Sequence, residues 1–177
     1  MKPLVKISLL VIIILLTGCG TAINITTNKD PNYTKEIKKV IFVSQLNTKY
    51  SDFNKCLATA IQEEFKNNNI NCKCLIDDGI TLKNDYNKII EDFKPDVLLT
   101  VIQVEETTNG SKSYTFFSTT EVKVILNATV TDVLLKKPIW RGKIDFDCTD
   151  SGLPGVSQAI ILAKDIVKKM KEDKLLK

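Results

Sequence analysis

The chain has no histidine and one tryptophan, Trp140, in 177 residues. Without histidine it lacks the commonest general base, the Ser-His and Cys-His nucleophile pairs, and the usual zinc ligand. No P-loop, G-x-S-x-G, G-x-G-x-x-G or H-E-x-x-H pattern is present, so no catalytic residue, metal ligand or cofactor is expected and the chain does not read as an enzyme. Charge of one sign is scarce: 25 Lys and Arg stand against 21 Asp and Glu. A nucleic-acid binder would show a clustered basic face, and none is evident. No apolar run reaches the roughly 20 residues of a membrane-spanning helix.

What is present begins at the N-terminus. Lys2 and Lys6 make a short positive start, and Ile7 to Leu16 is an unbroken apolar run of about ten residues, the pattern of a secretory signal peptide. Leu16-Thr17-Gly18-Cys19 closes that run with an apolar residue, two small ones and a cysteine. It resembles the lipobox of bacterial lipoproteins. The resemblance implies that residues 1–18 are cleaved off, that Cys19 becomes a lipidated thioether, and that its amine is acylated by a fatty acid such as palmitate. Each buried CH₂ contributes roughly 0.8 kcal/mol, so several acyl chains hold a domain on a bilayer. Cys19 is then an anchor and the membrane a partner through its lipid. Gly20 stands where an Asp would resemble an inner-membrane retention signal, which favours the outer membrane with the domain facing the periplasm.

Cleavage leaves 159 of the 177 residues, enough for one domain with a substantial core, and removal of Lys2 and Lys6 lowers the net charge from +4 to about +2. Residues 19–36 are polar, lack periodicity and carry turn material at Asn28–Pro31, so they read as a lipid-attached tether that lets the domain stand off the membrane. A single domain is expected over residues 37–177.

Within it, the apolar run after Lys38 predicts a strand buried on both faces. Ser51 is a plausible N-cap for a helix to about Lys66, with Phe53, Leu57, Ile61 and Phe65 on one stripe. Ile70–Ile76 reads as a second strand, Asp77-Asp78-Gly79 as a turn, and Leu82 to Phe93 as a second helix ending before Pro95. Asp96–Val104 is a third strand, which makes a βαβαβ unit on a parallel sheet. Glu105–Ser113 reads as a polar loop. Alternation over Val122–Val130 and over Trp140–Cys148, with a turn at Lys136-Lys137-Pro138, predicts an antiparallel β-hairpin. A C-terminal helix from Val156 to about Lys174, with Val156, Ile160, Ala163, Val167 and Met170 inward, completes an α/β (α+β) domain with a mixed sheet. Trp140 is expected to be buried.

That element order, with Val130-Thr131-Asp132-Val133 and Ile139-Trp140-Arg141-Gly142 flanking the hairpin turn, resembles the small envelope lipoproteins of the TolB N-terminal, LpoB and CsgG type. These families share no catalytic motif.

Four cysteines remain beyond Cys19. Alternation sets Cys72 and Cys74 on one face of a strand, and with Cys56 and Cys148 they read as small buried hydrophobes, a disulfide, or a metal or redox site. Asp77/Asp78 is explained by turn chemistry and Asp145/Asp147 by a solvated face beside Arg141 and Lys143. Glu105/Glu106 is a third carboxylate pair, and paired-carboxylate chemistry is not expected of any of the three. The lysines of the last helix complement its dipole. Tyr114, Phe116 and Phe117 form an aromatic patch that is either core or a contact site for a partner. Two functions follow: a non-catalytic adaptor or assembly component engaging an envelope protein or a copy of itself, and a periplasm-facing binding protein for a small ligand or cell-wall fragment. The second requires a pocket near Leu46–Tyr50, Asp77–Gly79 and Glu105–Thr108, at the C-terminal ends of the parallel strands.

Overall fold

Val40, Ile41, Phe42 and Val43 are all buried, and the strand that contains them is the middle of the parallel half of the sheet. The computed structural model describes residues 22–76, 86–114, 117–148 and 155–176, with backbone alone at 22, 108–114, 117–121 and 147–148. Six strands run β1 (Ala22–Lys29), β2 (Lys39–Gln45), β3 (Asn71–Ile76), β4 (Val97–Tyr114), β5 (Phe117–Asp132) and β6 (Lys137–Cys148). They form one mixed sheet in the order β1-β6-β5-β4-β2-β3. β2 pairs in parallel with β3 and β4, while β4, β5, β6 and β1 pair antiparallel in turn. With helices α1 (Ser51–Asn67), α2 (Tyr86–Phe93) and α3 (Val156–Glu172), this is the expected α+β domain.

The parallel half follows from two crossovers that run in opposite directions along the sheet, β2-α1-β3 to the edge and β3-α2-β4 back past β2. Right-handed connection places their helices on opposite faces of the sheet. Val40 and Phe42 accordingly join the large core under α1 and α3, whereas Ile41 and Val43 are buried outside that cluster. Phe53, Leu57, Ile61 and Phe65 of α1 form the buried stripe their spacing predicts. Ser51 is the first helical residue and not the N-cap. A single 3-10 turn, Thr48–Tyr50, leads in, with the Asn47 side chain accepting from Lys49 N at 3.1 Å.

In the antiparallel half, alternation sends Val122, Val124, Leu126, Ala128 and Val130 of β5 and Trp140, Ile144 and Phe146 of β6 into the same core. Trp140 is 1% exposed, and a Cβ on Gly142 would stand 2.8 Å from its ring. Glycine is therefore what lets the indole lie flat on its own strand. Its Nε1 donates to the Asp173 carboxylate at 2.6 Å, which ties β6 to the end of α3.

Three expectations are corrected. Ala22–Lys29 is no tether but an edge strand paired along its whole length with β6, its Ile23 and Ile25 packed against the core. The folded domain therefore begins well before residue 37. Glu105–Ser113 is no loop; it is the second half of β4, paired with β5 up to Tyr114↔Phe117, where cross-strand hydrogen bonding satisfies a threonine- and serine-rich backbone. The inner stripe of α3 is Ala159, Leu162, Ala163, Ile166, Val167 and Met170, while Val156 and Ile160 stay 52% and 41% exposed. No described helix is long and apolar enough to cross a membrane.

Candidate functional site

The sheet has two unlike ends. At the end where β5 turns into β6, the turn end, a buried carboxylate fixes the chain reversal. Asp132 is 2% exposed, and it accepts from Leu135 N at 2.7 Å and from Lys35 Nζ at 3.2 Å. Burial pushes its carboxyl up, but those two bonds, the Lys35 charge and the Tyr33 hydroxyl outweigh burial and hold it below the ordinary carboxylate value. Burial, then the Asp132 charge, drives the Tyr33 phenol up. Lys136 completes the turn with φ of 52°, and beside the turn Lys137 pairs with Asp30 at 2.7 Å. Asp96 caps the start of β2, taking Lys38 N and Lys39 N at 2.8 Å each.

On this framework Leu134 is 84% and Leu135 50% exposed. At the apex of a hydrogen-bonded turn Leu134 buries little of its surface and Leu135 about half, which leaves an adjacent apolar pair open to contact. Sequence reasoning passed over them. Their signal is two leucines where a hairpin turn ordinarily carries Gly, Asn or Asp.

At the opposite end, the hairpin end, the C-terminal ends of the parallel strands bring Leu46–Tyr50 beside Gln103–Glu106, as the ligand-pocket reading requires. The groups there bind one another. Lys49 pairs with the Glu106 carboxylate, Gln103 Nε2 donates to it at 3.0 Å, and Asn47 N donates to Gln103 Oε1 at 3.1 Å. Lys49, more than burial opposes it, and then Tyr50 and Gln103 keep Glu106 below the usual carboxylate range. The pocket beneath, walled by Tyr50, Phe53, Leu126 and Phe146 among others, has a volume of about 10 Å³, room for one water at most. Ligand sites run to roughly 300–1,000 Å³. Asp77–Gly79 lies outside the described residues. A second, open groove of about 200 Å³ separates β1 at Ile23–Ile25 from Asp165, Lys168 and Lys169 of α3.

The cysteines fall as the alternation implies. Cys72 and Cys74 share the core face of β3 with their Sγ atoms 3.9 Å apart, and Cys74 Sγ donates to Ala58 O at 3.2 Å. Their mutual hydrogen bond raises the Cys72 thiol and lowers that of Cys74. Both are free, as is Cys56, and the separation is nearly twice a disulfide bond length. The Cys148 side chain is not described.

Of the other residues singled out from sequence, Cys19 and Phe116 lie outside the described residues. Tyr114 and Phe117 are the last paired residues of β4 and β5, facing each other in register at the tip of the hairpin. Asp145 is held by Lys143 at 3.3 Å and Lys123 at 3.8 Å on the open face of the sheet.

No family model matches the chain, and no curated protein does. Among solved structures it is similar to a PelC dodecamer from Paraburkholderia phytofirmans, with 11% identity, 82% of this chain and 95% of that one covered, and a TM-score of 0.49. It is also similar to the lipoprotein GNA1162 from Neisseria meningitidis, with 13% identity, 76% and 99% covered, and a TM-score of 0.46. A minor lipoprotein from Acinetobacter baumannii follows at 9% identity, 78% and 95% covered, and a TM-score of 0.42. Two of these neighbours are named as bacterial lipoproteins. At these scores and identities the likenesses carry no argument about function.

Proposed function

We propose that the chain is a lipid-anchored cell-envelope protein, held through Cys19 and facing the periplasm from the outer membrane, that acts as a non-catalytic adaptor. The Leu134–Leu135 turn is its contact point for an envelope protein or a second copy of itself. The observation that carries this reading is the exposure of Leu134 and Leu135 on a turn whose geometry is fixed from below by Asp132. A mobile leucine loses side-chain freedom on contact, whereas one held on a rigid turn has part of that cost already met by folding. The alternative, a binding protein for a small ligand or cell-wall fragment, draws no support from the pocket of about 10 Å³ among the described residues at the parallel strand ends.

A photo-crosslinking side chain at position 134, with position 127 on the open sheet face as control, tests the adaptor in cells. A discrete adduct at 134 that is missing at 127 is the expected result. No adduct at 134, or the same adducts at both positions, contradicts it.

A further inference from the structure

The register of the sheet shows how far each segment reaches at the hairpin end. Ala22 lies opposite Asp147, Asp147 opposite Lys123, and Lys123 opposite Thr107, so these four residues form one row across β1, β6, β5 and β4. Beyond that row β4 and β5 continue as a pair to Tyr114↔Phe117. From Lys123 to Phe117 is six residues, about 20 Å at 3.3 Å per residue. Cys19 is only three residues before Ala22, and three residues span at most about 10 Å, so Cys19 lies no more than about 10 Å past the row. The hairpin tip therefore extends about 10 Å further than Cys19 can.

A second segment points the same way. The C-terminal end of α3 is fixed at the turn end, where Lys29 Nζ donates to Lys174 O at 3.2 Å. Asp165 to Lys169 lie across the groove from Ile23–Ile25. Val156, nine residues earlier, stands about 14 Å beyond Asp165 at 1.5 Å per residue, past the Ala22 row. On these first turns of α3 Val156, Ile160 and Ile161 are 52%, 41% and 46% exposed, Val156 being the one furthest past the row.

We infer that the hairpin end of the domain, through the Tyr114–Phe117 tip of β4 and β5 and the first turns of α3, sits in the headgroup region of the bilayer that carries the Cys19 lipid, so that the domain stands upright on the membrane with the Leu134–Leu135 turn pointing away. The inference rests on the proposed lipid anchor and adds the orientation. Interfacial segments seat their apolar groups about 5–10 Å into the headgroup and acyl boundary, which matches the overreach of the tip. Composition agrees with the placement. Residues 107–120 carry one charge, Lys112, while Glu105, Glu106 and Glu121 lie at or within two rows of Ala22, short of the reach of Cys19. Tyrosine and phenylalanine at the tip, with a lysine just behind, suit an interface that is apolar on one side and anionic on the other.

The test uses the full lipidated chain in vesicles of phosphatidylethanolamine and phosphatidylglycerol with brominated acyl chains. The variants are Phe117→Trp, Tyr114→Trp and, at the other end, Leu134→Trp. Trp140 is buried at the turn end and gives a constant background. Mass spectrometry of the same preparation reads the lipid on Cys19. The expected result is at least a two-fold loss of the added emission at 117 and 114 and none at 134. Lipid on Cys19 with no quenching at 117 and 114, or with equal quenching at all three positions, overturns the orientation alone. A Cys19 without lipid overturns the anchor and the orientation with it.

Discussion

At the turn end, Asp132, Asp96, Asp30 and Asp173 each accept a side-chain or backbone hydrogen bond from a distant part of the chain, and the strand ends are tied together there. At the hairpin end, β4 and β5 run on past their neighbours with only each other for partners among the described residues, and the first turns of α3 leave three branched apolar residues uncovered. One end is rigid and offers two leucines on a fixed mount; the other carries a long two-stranded extension with a single charge, Lys112, over residues 107–120, and is the end from which the chain leads back to Cys19. The difference teaches that one sheet can be held in shape by carboxylates at one end, Asp132 buried among them, and leave apolar residues unburied at the other, where the proposed orientation puts the membrane.

The largest expected effect separates the ends by stability. Trp140→Ala removes a fully buried ring and its bond to Asp173, and should cost about 3–5 kcal/mol, so that the domain melts far earlier or fails to accumulate. Tyr114→Ser with Phe117→Ser should shift thermal unfolding by no more than about 0.5 kcal/mol if the tip is a surface. A tip variant that destabilises as much as the Trp140 variant would move the tip into the core and break the comparison.

Next comes Asp132→Asn, which keeps the shape but weakens the bonds to Leu135 N and Lys35. It should cost about 1–3 kcal/mol in chemical denaturation. Because the folded carboxyl of Asp132 lies below its unfolded value, its contribution is present above the unfolded pKa, near pH 4, and is lost as pH falls through the folded one. Stability of the wild type should therefore drop below about pH 4 more steeply than that of the Asn variant. Glu106, also lowered but with a more exposed side chain, should give a shallower change in Glu106→Gln. A steeper acid dependence from Glu106 than from Asp132 would reverse the assignment of the rigid end.

The smallest effect is at Lys136. Its φ of 52° lies in the left-handed region that favours glycine, so Lys136→Gly should be neutral to about 1 kcal/mol stabilising in the same denaturation experiment. Destabilisation instead would mean that the lysine side chain, and not the Asp132 bonds, holds the turn.

Much of the fold was legible because burial leaves period and composition in the sequence. The run at Val40–Val43 announced a two-sided strand, Phe53 to Phe65 a helix stripe, and Val122–Val130 with Trp140–Phe146 a half-buried hairpin. What stayed hidden carried too little apolar pattern to announce it. Ala22–Lys29 shows only Ile23 and Ile25 as an apolar pair, too short a pattern to separate an edge strand from a tether. Thr107–Ser113 is a strand by backbone pairing with β5, and that pairing is invisible to side-chain periodicity. Val156 and Ile160 fit the three-and-four spacing of α3, but Ala159, Leu162 and Ala163 take the buried positions on those turns, so spacing alone puts the stripe on the wrong side of the helix start. Leu134 and Leu135 break the rule that turns are polar, and a broken rule at a rigid, exposed site was the available clue.

Hydrogen exchange compares the two ends most directly, measured on the lipidated chain bound to vesicles and on the Cys19→Ser chain free in solution. The account predicts slower exchange on the membrane over residues 107–121 and 156–161, with residues 132–137 unchanged. Slowing confined to 132–137, or spread evenly over both ends, would contradict it.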